Sequence, residues 1–185
     1  METQSAAPEV ALFTKLKLGA VETRNRIVIS PMQQYAAGRD ALPTSWHINH
    51  LEKLAVGGAG LVFTEALAVT KQGRATHADL GAWSHEQMEA LKPVAEAIAR
   101  HGAIPGAQLI HAGRKSSVQV PWDGYQSLGE SDAAKGNPPW PIVAPSAIAA
   151  NPGWQTPKVL TKDEIRQLRD DFAKGARHVA QAGFQ

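Results

Sequence analysis

Apolar residues in the first two thirds of the chain alternate between short buried runs and longer stretches with helical spacing. The short runs are rich in β-branched or small residues and are bounded by Gly or Pro, which is typical of strands in a parallel sheet. They predict three strands, at residues 26–30, 60–66 and 103–108. Upstream of them, alternating apolar residues around Leu16 and Leu18 lead into Gly19, which predicts a small hairpin.

Helical spacing follows each of the first two predicted strands and returns near the end of the sequence. The second helix has capping-box spacing from Ser84 to Gln87, while Pro93 inside it predicts a break or an irregular first turn. The helices are expected at residues 44–57, 84–102 and 161–183; either Thr44 or Ser45 could cap the first, and the last begins with another capping box, from Thr161 to Glu164.

Strands that alternate with helices predict an α/β fold with a parallel sheet, either a doubly wound open sheet or a TIM (β/α)8 barrel. No Gly-x-Gly-x-x-Gly follows the first strand and no Walker lysine loop occurs, so the barrel is favoured. We expect residues 1–185 to form one domain, with a flexible tail at 1–9. Residues 112–158 are rich in Gly, Pro, Ser and Trp and are expected to form a long loop over the site.

A polar cluster follows the third predicted strand, where a parallel sheet presents its ligand site. Its first member, Gln108, can offer both an acceptor and a donor to a flat heterocycle. Ala112 and Gly113 are small enough for a ligand to approach the backbone. From this segment alone, a ligand site and an ordinary solvated turn are equally good interpretations.

Composition excludes several classes of function. The chain is 43% apolar and 19% charged with a net charge of +2, and its basic residues are scattered, so neither nucleic acid nor a membrane is an expected partner. It contains no cysteine, hence no disulfide, thiolate nucleophile or cysteine metal site. His47 and His50 are spaced for one helix face, but with no carboxylate or third ligand nearby in sequence we predict no metal. A cytoplasmic location is expected.

Several segments, in chain order, resemble the Old Yellow Enzyme family of FMN-dependent ene-reductases, in particular its xenobiotic-reductase, thermophilic-like branch. The resemblance implies a TIM barrel of the FMN-linked oxidoreductase type, of which this chain would hold the amino-terminal half, about three βα units. The matching segments are RNRIVISPM (24–32), GGAGLV (57–62), TEALAV (64–69), GR (73–74), QLIHAGRK (108–115), APS (144–146) and AQAGF (180–184).

The resemblance also implies roles for individual residues. Tyr35 and Arg114 would reach the substrate, although Tyr35 could instead anchor its loop and Arg114 could make a structural salt bridge. NAD(P)H would be the electron donor, and an activated alkene such as an enone or a nitro compound would be the substrate. FMN would be bound by Ser30, Pro31, Met32, Gln33, Ala66 and Gln108.

Two departures from the family pattern qualify these expectations. Gln33 stands where the branch typically has a cysteine that tunes the flavin, so that tuning is not expected here. The family's substrate-anchoring donors follow the fourth strand, beyond Gln185, so no catalytic residue is assigned and the chain is expected to be incomplete.

Other classes of function stay open at this stage. The alternative is a non-catalytic or split fragment that needs a carboxyl-terminal half-barrel partner, and a homo-oligomer is also compatible with the sequence. An aldolase-like barrel is disfavoured, because no lysine lies at a strand end. The tryptophans of the long loop could line a pocket or fix the loop; they are Trp122, Trp140 and Trp154.

Overall fold

The computed structural model describes residues 10–185, so the tail predicted at residues 1–9 lies outside the described residues. An antiparallel hairpin comes first, formed by β1 (Leu16–Leu18) and β2 (Val21–Thr23). Gly19 adopts a φ of +60° in the turn between them, a conformation that glycine adopts without steric cost. The predicted hairpin is therefore confirmed.

A parallel three-stranded sheet follows, in the order β3 (Val28–Ile29), β4 (Leu61–Ala68) and β5 (Ile104–Ile110). Helices α1 (Ser45–Val56) and α2 (His85–Ala99) form the two crossovers, as the alternating pattern predicts. The parallel α/β class is confirmed. The third strand continues two residues past Gln108, because β4 pairs with it as far as Ile110.

Both crossover helices begin at the predicted caps. Thr44 precedes α1, and Ser84 precedes α2 with its hydroxyl accepting from the Gln87 N–H at 3.2 Å. The prediction of a break at Pro93 is wrong, since α2 runs through it. Pro93 and Glu89, whose carbonyl loses its helical partner there, are both exposed, and water can satisfy that carbonyl.

The apolar core fills the space between the sheet and the helices. Helix α4 (Lys162–Gln181) begins at the predicted capping box of Thr161 and Glu164 and closes this core at the end of the chain. Burying a large aliphatic side chain contributes about 1.5–3 kcal/mol, so this layer supplies most of the stabilisation. Its fully buried members include Val62, Leu67, Leu80, Leu91, Val94 and Ile98.

Arg24, just before β3, joins the ends of both crossover helices. Its guanidinium donates to the carbonyl oxygens of Ala55 (2.9 Å) and Ala59 (3.0 Å), and to that of His101 at 2.6 Å. A cation at the carboxyl ends of helices is electrostatically favourable and satisfies carbonyls that the helices leave free.

The segment predicted as a long loop contains short elements of its own. Helix α3 (Glu130–Ala134) lies in its middle, and β6 (Val143–Ala144) pairs in parallel with β7 (Lys158–Val159). Within residues 10–185, no helix combines the length and the apolar character that crossing a bilayer requires.

Candidate functional site

The carboxyl ends of the three parallel strands meet along one edge of the sheet. Ala66 on β4 lies directly opposite Gln108 on β5. The pairing is irregular just before that point, because Thr64 and Glu65 together face a single residue of β5. Such a β-bulge redirects side chains, and bulges are frequent beside active sites.

The loop that follows β3 is attached to this edge by Gln34. The Gln34 N–H donates a hydrogen bond to a carboxylate oxygen of Glu65, the residue before Ala66. The Gln34 side-chain amide donates to the Met32 carbonyl at 2.8 Å, so the loop also closes on itself. Residues 30–34 are thereby held beside the tip of β4.

A buried histidine completes this attachment. His47 is 1% exposed, and its Nδ1 accepts a hydrogen bond from the Thr44 N–H at 2.9 Å. The proton must therefore be on Nε2, which donates to the second carboxylate oxygen of Glu65 at 3.0 Å. The cap of α1, the bulge in β4 and the loop after β3 thus form one hydrogen-bonded unit, which we call the His47–Glu65–Gln34 clamp.

The clamp is not apparent from the sequence, because no carboxylate lies close to His47 in the chain and the fold brings Glu65 to it from 18 residues away. The available signal was the position of His47 three residues after the helix cap, with a glutamate at the end of the next strand. His47 is thus a packed side chain within a hydrogen-bonded network. Among residues 10–185 no three potential metal ligands cluster.

Around the clamp, the predicted flavin-binding residues differ in exposure. Ala66 is buried, at 9% exposed, while Met32 is 49% exposed and Ser30 and Gln108 are also exposed. Pro31 and Gln33 are half-buried. Within the described part of the chain, the Gln108 carboxamide has no hydrogen-bond partner, which leaves its donor and acceptor available to a ligand.

Tyr35 lies further along the same loop, with the positive φ of 53° that is uncommon for a residue with a side chain. Its ring packs edge-on against Trp122, with ring centroids 5.8 Å apart. Burial raises the pKa of its hydroxyl, and the nearby Tyr125, Asp79 and Glu65 raise it further. The hydroxyl is therefore protonated at neutral pH.

Arg114 and His111 follow β5. Arg114 donates to the Ser146 hydroxyl at 2.8 Å, which ties two of the sequence motifs together, and it forms no salt bridge within residues 10–185. The pKa of His111 is lowered by burial, and its Nδ1 accepts from the Gly113 N–H at 3.1 Å. Gly73 packs so closely on this ring that a Cβ there would lie 2.6 Å from the His111 Cδ2 atom.

The model of the NADH:flavin oxidoreductase / NADH oxidase family matches residues 11–185. An NADPH dehydrogenase of Geobacillus sp. (strain WCH70) is 40% identical over 177 residues, which are 95% of this chain and 46% of that protein.

Solved structures give the same result. The old yellow enzyme homologue of Zymomonas mobilis superposes with a TM-score of 0.74 at 30% identity, over 95% of this chain and 46% of that one. Morphinone reductase in complex with tetrahydroNAD gives a TM-score of 0.75 at 28% identity, over 95% and 48%. The chain thus spans about half the length of the relatives that it matches.

Proposed function

Since the chain belongs to the NADH:flavin oxidoreductase / NADH oxidase family, we propose that it forms the strand-tip half of an FMN site in an NAD(P)H-dependent ene-reductase. Membership confirms the family resemblance, and with it FMN and NAD(P)H as the family's cofactor and electron donor. The binding residues, the alkene substrate and the activity of the whole protein belong to the proposal.

The observation that carries the proposal is the meeting of Gln108, Ala66 and the loop after β3 at one open edge. Gln108 presents an unpartnered carboxamide, which matches the donors and acceptors on the pyrimidine edge of an isoalloxazine. Ala66 has only a methyl group, so a flat ring can approach the backbone of β4. Ser30, Pro31, Met32 and Gln33 would line the neighbouring edge of the ring.

Hydride transfer from NAD(P)H to an activated alkene is the chemistry that bound FMN would supply. The residues of this chain would orient the cofactor and stabilise charge. The Gln108 amide would donate to the pyrimidine edge, where negative charge gathers on reduction. The clamp would fix the loop in advance, so that binding costs little ordering of the backbone. Tyr35 and Arg114 are the candidates for contacts with the alkene.

The test is flavin binding by the 185-residue chain, measured by quenching of FMN fluorescence and by anaerobic bleaching of its absorbance with NADPH. Replacing Gln108 with Leu should weaken FMN binding by about tenfold, as expected for a lost hydrogen bond to a group that gains charge. Gln126→Leu, an exposed glutamine in the long segment, is the matched control and should bind as the wild type does. Equal affinities for the two variants would contradict the assignment of Gln108.

A second candidate is a non-catalytic or split fragment that complements another chain. This alternative is favoured because the match covers only 46% of the length of the Geobacillus relative. Adding the remaining, carboxyl-terminal part of that relative to the chain distinguishes the two functions. Turnover of an enone by the 185-residue chain alone favours the complete enzyme, whereas turnover only after mixing favours complementation.

A further inference from the structure

A cavity with a volume of about 570 Å³ lies between three loops and is lined by residues other than those assigned to the flavin. The loop after β3 contributes Arg39, the loop after β4 contributes Lys71, Arg74 and His77, and the segment before β6 contributes Trp140. Three of these side chains carry a fixed positive charge. No carboxylate lines the cavity.

Arg74 is the unusual member of this group, since it is only 4% exposed. Its guanidinium carbon lies 5.8 Å from the ring centroid of Trp83 and 5.5 Å from that of Trp140. Its one hydrogen bond within the described residues runs from Nε to the Lys71 carbonyl, at 3.2 Å. Its terminal N–H groups have no hydrogen-bond partner within the described residues, and because Arg74 lines the cavity a ligand there could accept from them.

The carboxylate of Asp79, whose charge acts on Arg74, does not accept from these groups. Asp79 accepts hydrogen bonds from the N–H groups of Ala75 (2.6 Å) and Thr76 (3.1 Å) and from the Thr76 hydroxyl (2.6 Å). It makes no ion pair with Arg74 among residues 10–185. The positive charge of the cavity is therefore left without a direct counter-ion from these residues.

The walls of the cavity are fixed by hydrogen bonds between the loops. The indole N–H of Trp140 donates to the Gln72 carbonyl at 3.1 Å, and the Gln72 amide donates to the Pro141 carbonyl at 2.9 Å. The His77 Nε2 atom donates to the Pro138 carbonyl at 2.9 Å. The His77 and Trp140 rings meet edge to face, 4.8 Å between centroids, so the cavity also offers a flat aromatic surface.

We propose that this cavity binds a phosphate monoester attached to a flat ring. Arg39, Lys71 and Arg74 supply three positive charges, which a dianionic phosphate offsets better than a singly charged carboxylate does. The terminal N–H groups of Arg74 would form the fork that phosphate oxygens accept. Trp140 would pack against the ring.

Two kinds of ligand combine a phosphate monoester with a flat ring. One is the adenosine 2′-phosphate end of NADPH, which would link the cavity to the proposed function; the other is a free nucleotide monophosphate. The cavity and the flavin edge use different residues. Absence of phosphate binding in the cavity would therefore not contradict FMN binding at the strand tips, and the reverse also holds. FMN binding measured on the same variants distinguishes the two sites.

The experiment is isothermal titration of the 185-residue chain with adenosine 2′-phosphate, adenosine 5′-phosphate and adenosine at low ionic strength. Both phosphates should bind, and adenosine should bind at least about tenfold more weakly than the better of them. A preference for the 2′-phosphate identifies the NADPH end as the source, and equal affinity identifies nucleotide monophosphates in general.

The variants locate the binding. Arg74→Met should weaken binding of the phosphate by about tenfold or more, and Lys71→Met, which changes an exposed side chain, by about threefold. Lys174→Met removes one charge from the exposed surface of α4 and should leave the affinity unchanged. If Arg74→Met does not fold, the phosphate affinities of Lys71→Met and Lys174→Met are compared instead. Absence of phosphate binding, equal binding of adenosine, or equal effects of the Lys71 and Lys174 changes would overturn the proposal.

Discussion

Removing the His47 imidazole should destabilise the fold far more than removing the neighbouring His50 imidazole. Both residues lie on α1, yet His47 bridges Thr44 and Glu65, while the His50 Nε2 atom is buried without a partner in the described structure. The two substitutions, His47→Leu and His50→Leu, replace the same side chain by the same apolar one. They therefore differ only in the contacts that are lost.

The magnitude follows from those contacts. Losing a hydrogen bond to a buried carboxylate costs about 1.5–3 kcal/mol, and losing the acceptor of the Thr44 N–H at the helix cap adds about 0.5–2 kcal/mol. His47→Leu should thus lower the free energy of unfolding by about 2–5 kcal/mol. His50→Leu removes an unsatisfied polar atom and keeps an apolar contact with Trp46, so its cost should stay below about 1 kcal/mol.

Urea unfolding followed by far-UV circular dichroism measures both values. Glu65→Gln adds a check on the tautomer, because both carboxylate oxygens accept, so the NH2 of the new amide must face either the Nε2–H of His47 or the Gln34 N–H. It should cost about 1.5–3 kcal/mol even though the side-chain volume hardly changes. Equal destabilisation by the two histidine variants, or a neutral Glu65→Gln, would refute the clamp.

Three further predictions concern the same fold. Gly60→Ala should cost about 1–3 kcal/mol of unfolding free energy, since a Cβ there would lie 2.6 Å from the backbone oxygen of Asn25; a cost near zero in urea unfolding would contradict the geometry. Arg24→Met should cost about 1.5–3 kcal/mol, and the control Arg26→Met, which loses a single bond to an exposed hydroxyl, under about 1 kcal/mol; similar melting temperatures would contradict this ranking. Burial lowers the pKa of His77 below its ordinary 6.5. As the pH falls through that value, the imidazole of His77 therefore binds a proton in the unfolded chain before it does so in the folded chain. Stability should therefore decline between pH 7 and pH 5, and less steeply in His77→Gln; identical slopes would rule out this group as a source.

The pattern of the chain was sufficient to predict elements that depend on local sequence. The capping boxes at Ser84 and Thr161 were identified because they depend on residues three positions apart, whereas Thr44 and Ser45 were both candidates for the cap of α1. The break expected at Pro93 does not occur, because the local rule ignores that the affected turn faces solvent. The end of β5 was placed too early, since strand length is set by pairing with β4.

Long-range pairings were beyond the reach of the sequence argument. Nothing near His47 in the chain identifies Glu65 as its partner, and nothing near Arg74 identifies Trp140. The sequence did not decide whether the tryptophans of the long segment line a pocket or fix the loop. Trp140 does both. Its ring lines the cavity, and its indole N–H fixes the segment to Gln72.

The additional residue in β4 has a consequence for how this strand can vary. A β-bulge accommodates one extra residue by bending its strand. Excising Thr64 would restore regular pairing with β5 and leave Ala66 opposite Gln108, but it would remove the bend that the extra residue gives β4, and with it the direction in which the Glu65 carboxylate points to Gln34 and His47. A chain that lost this irregularity could keep its hydrophobic layer intact while its ligand edge was dismantled.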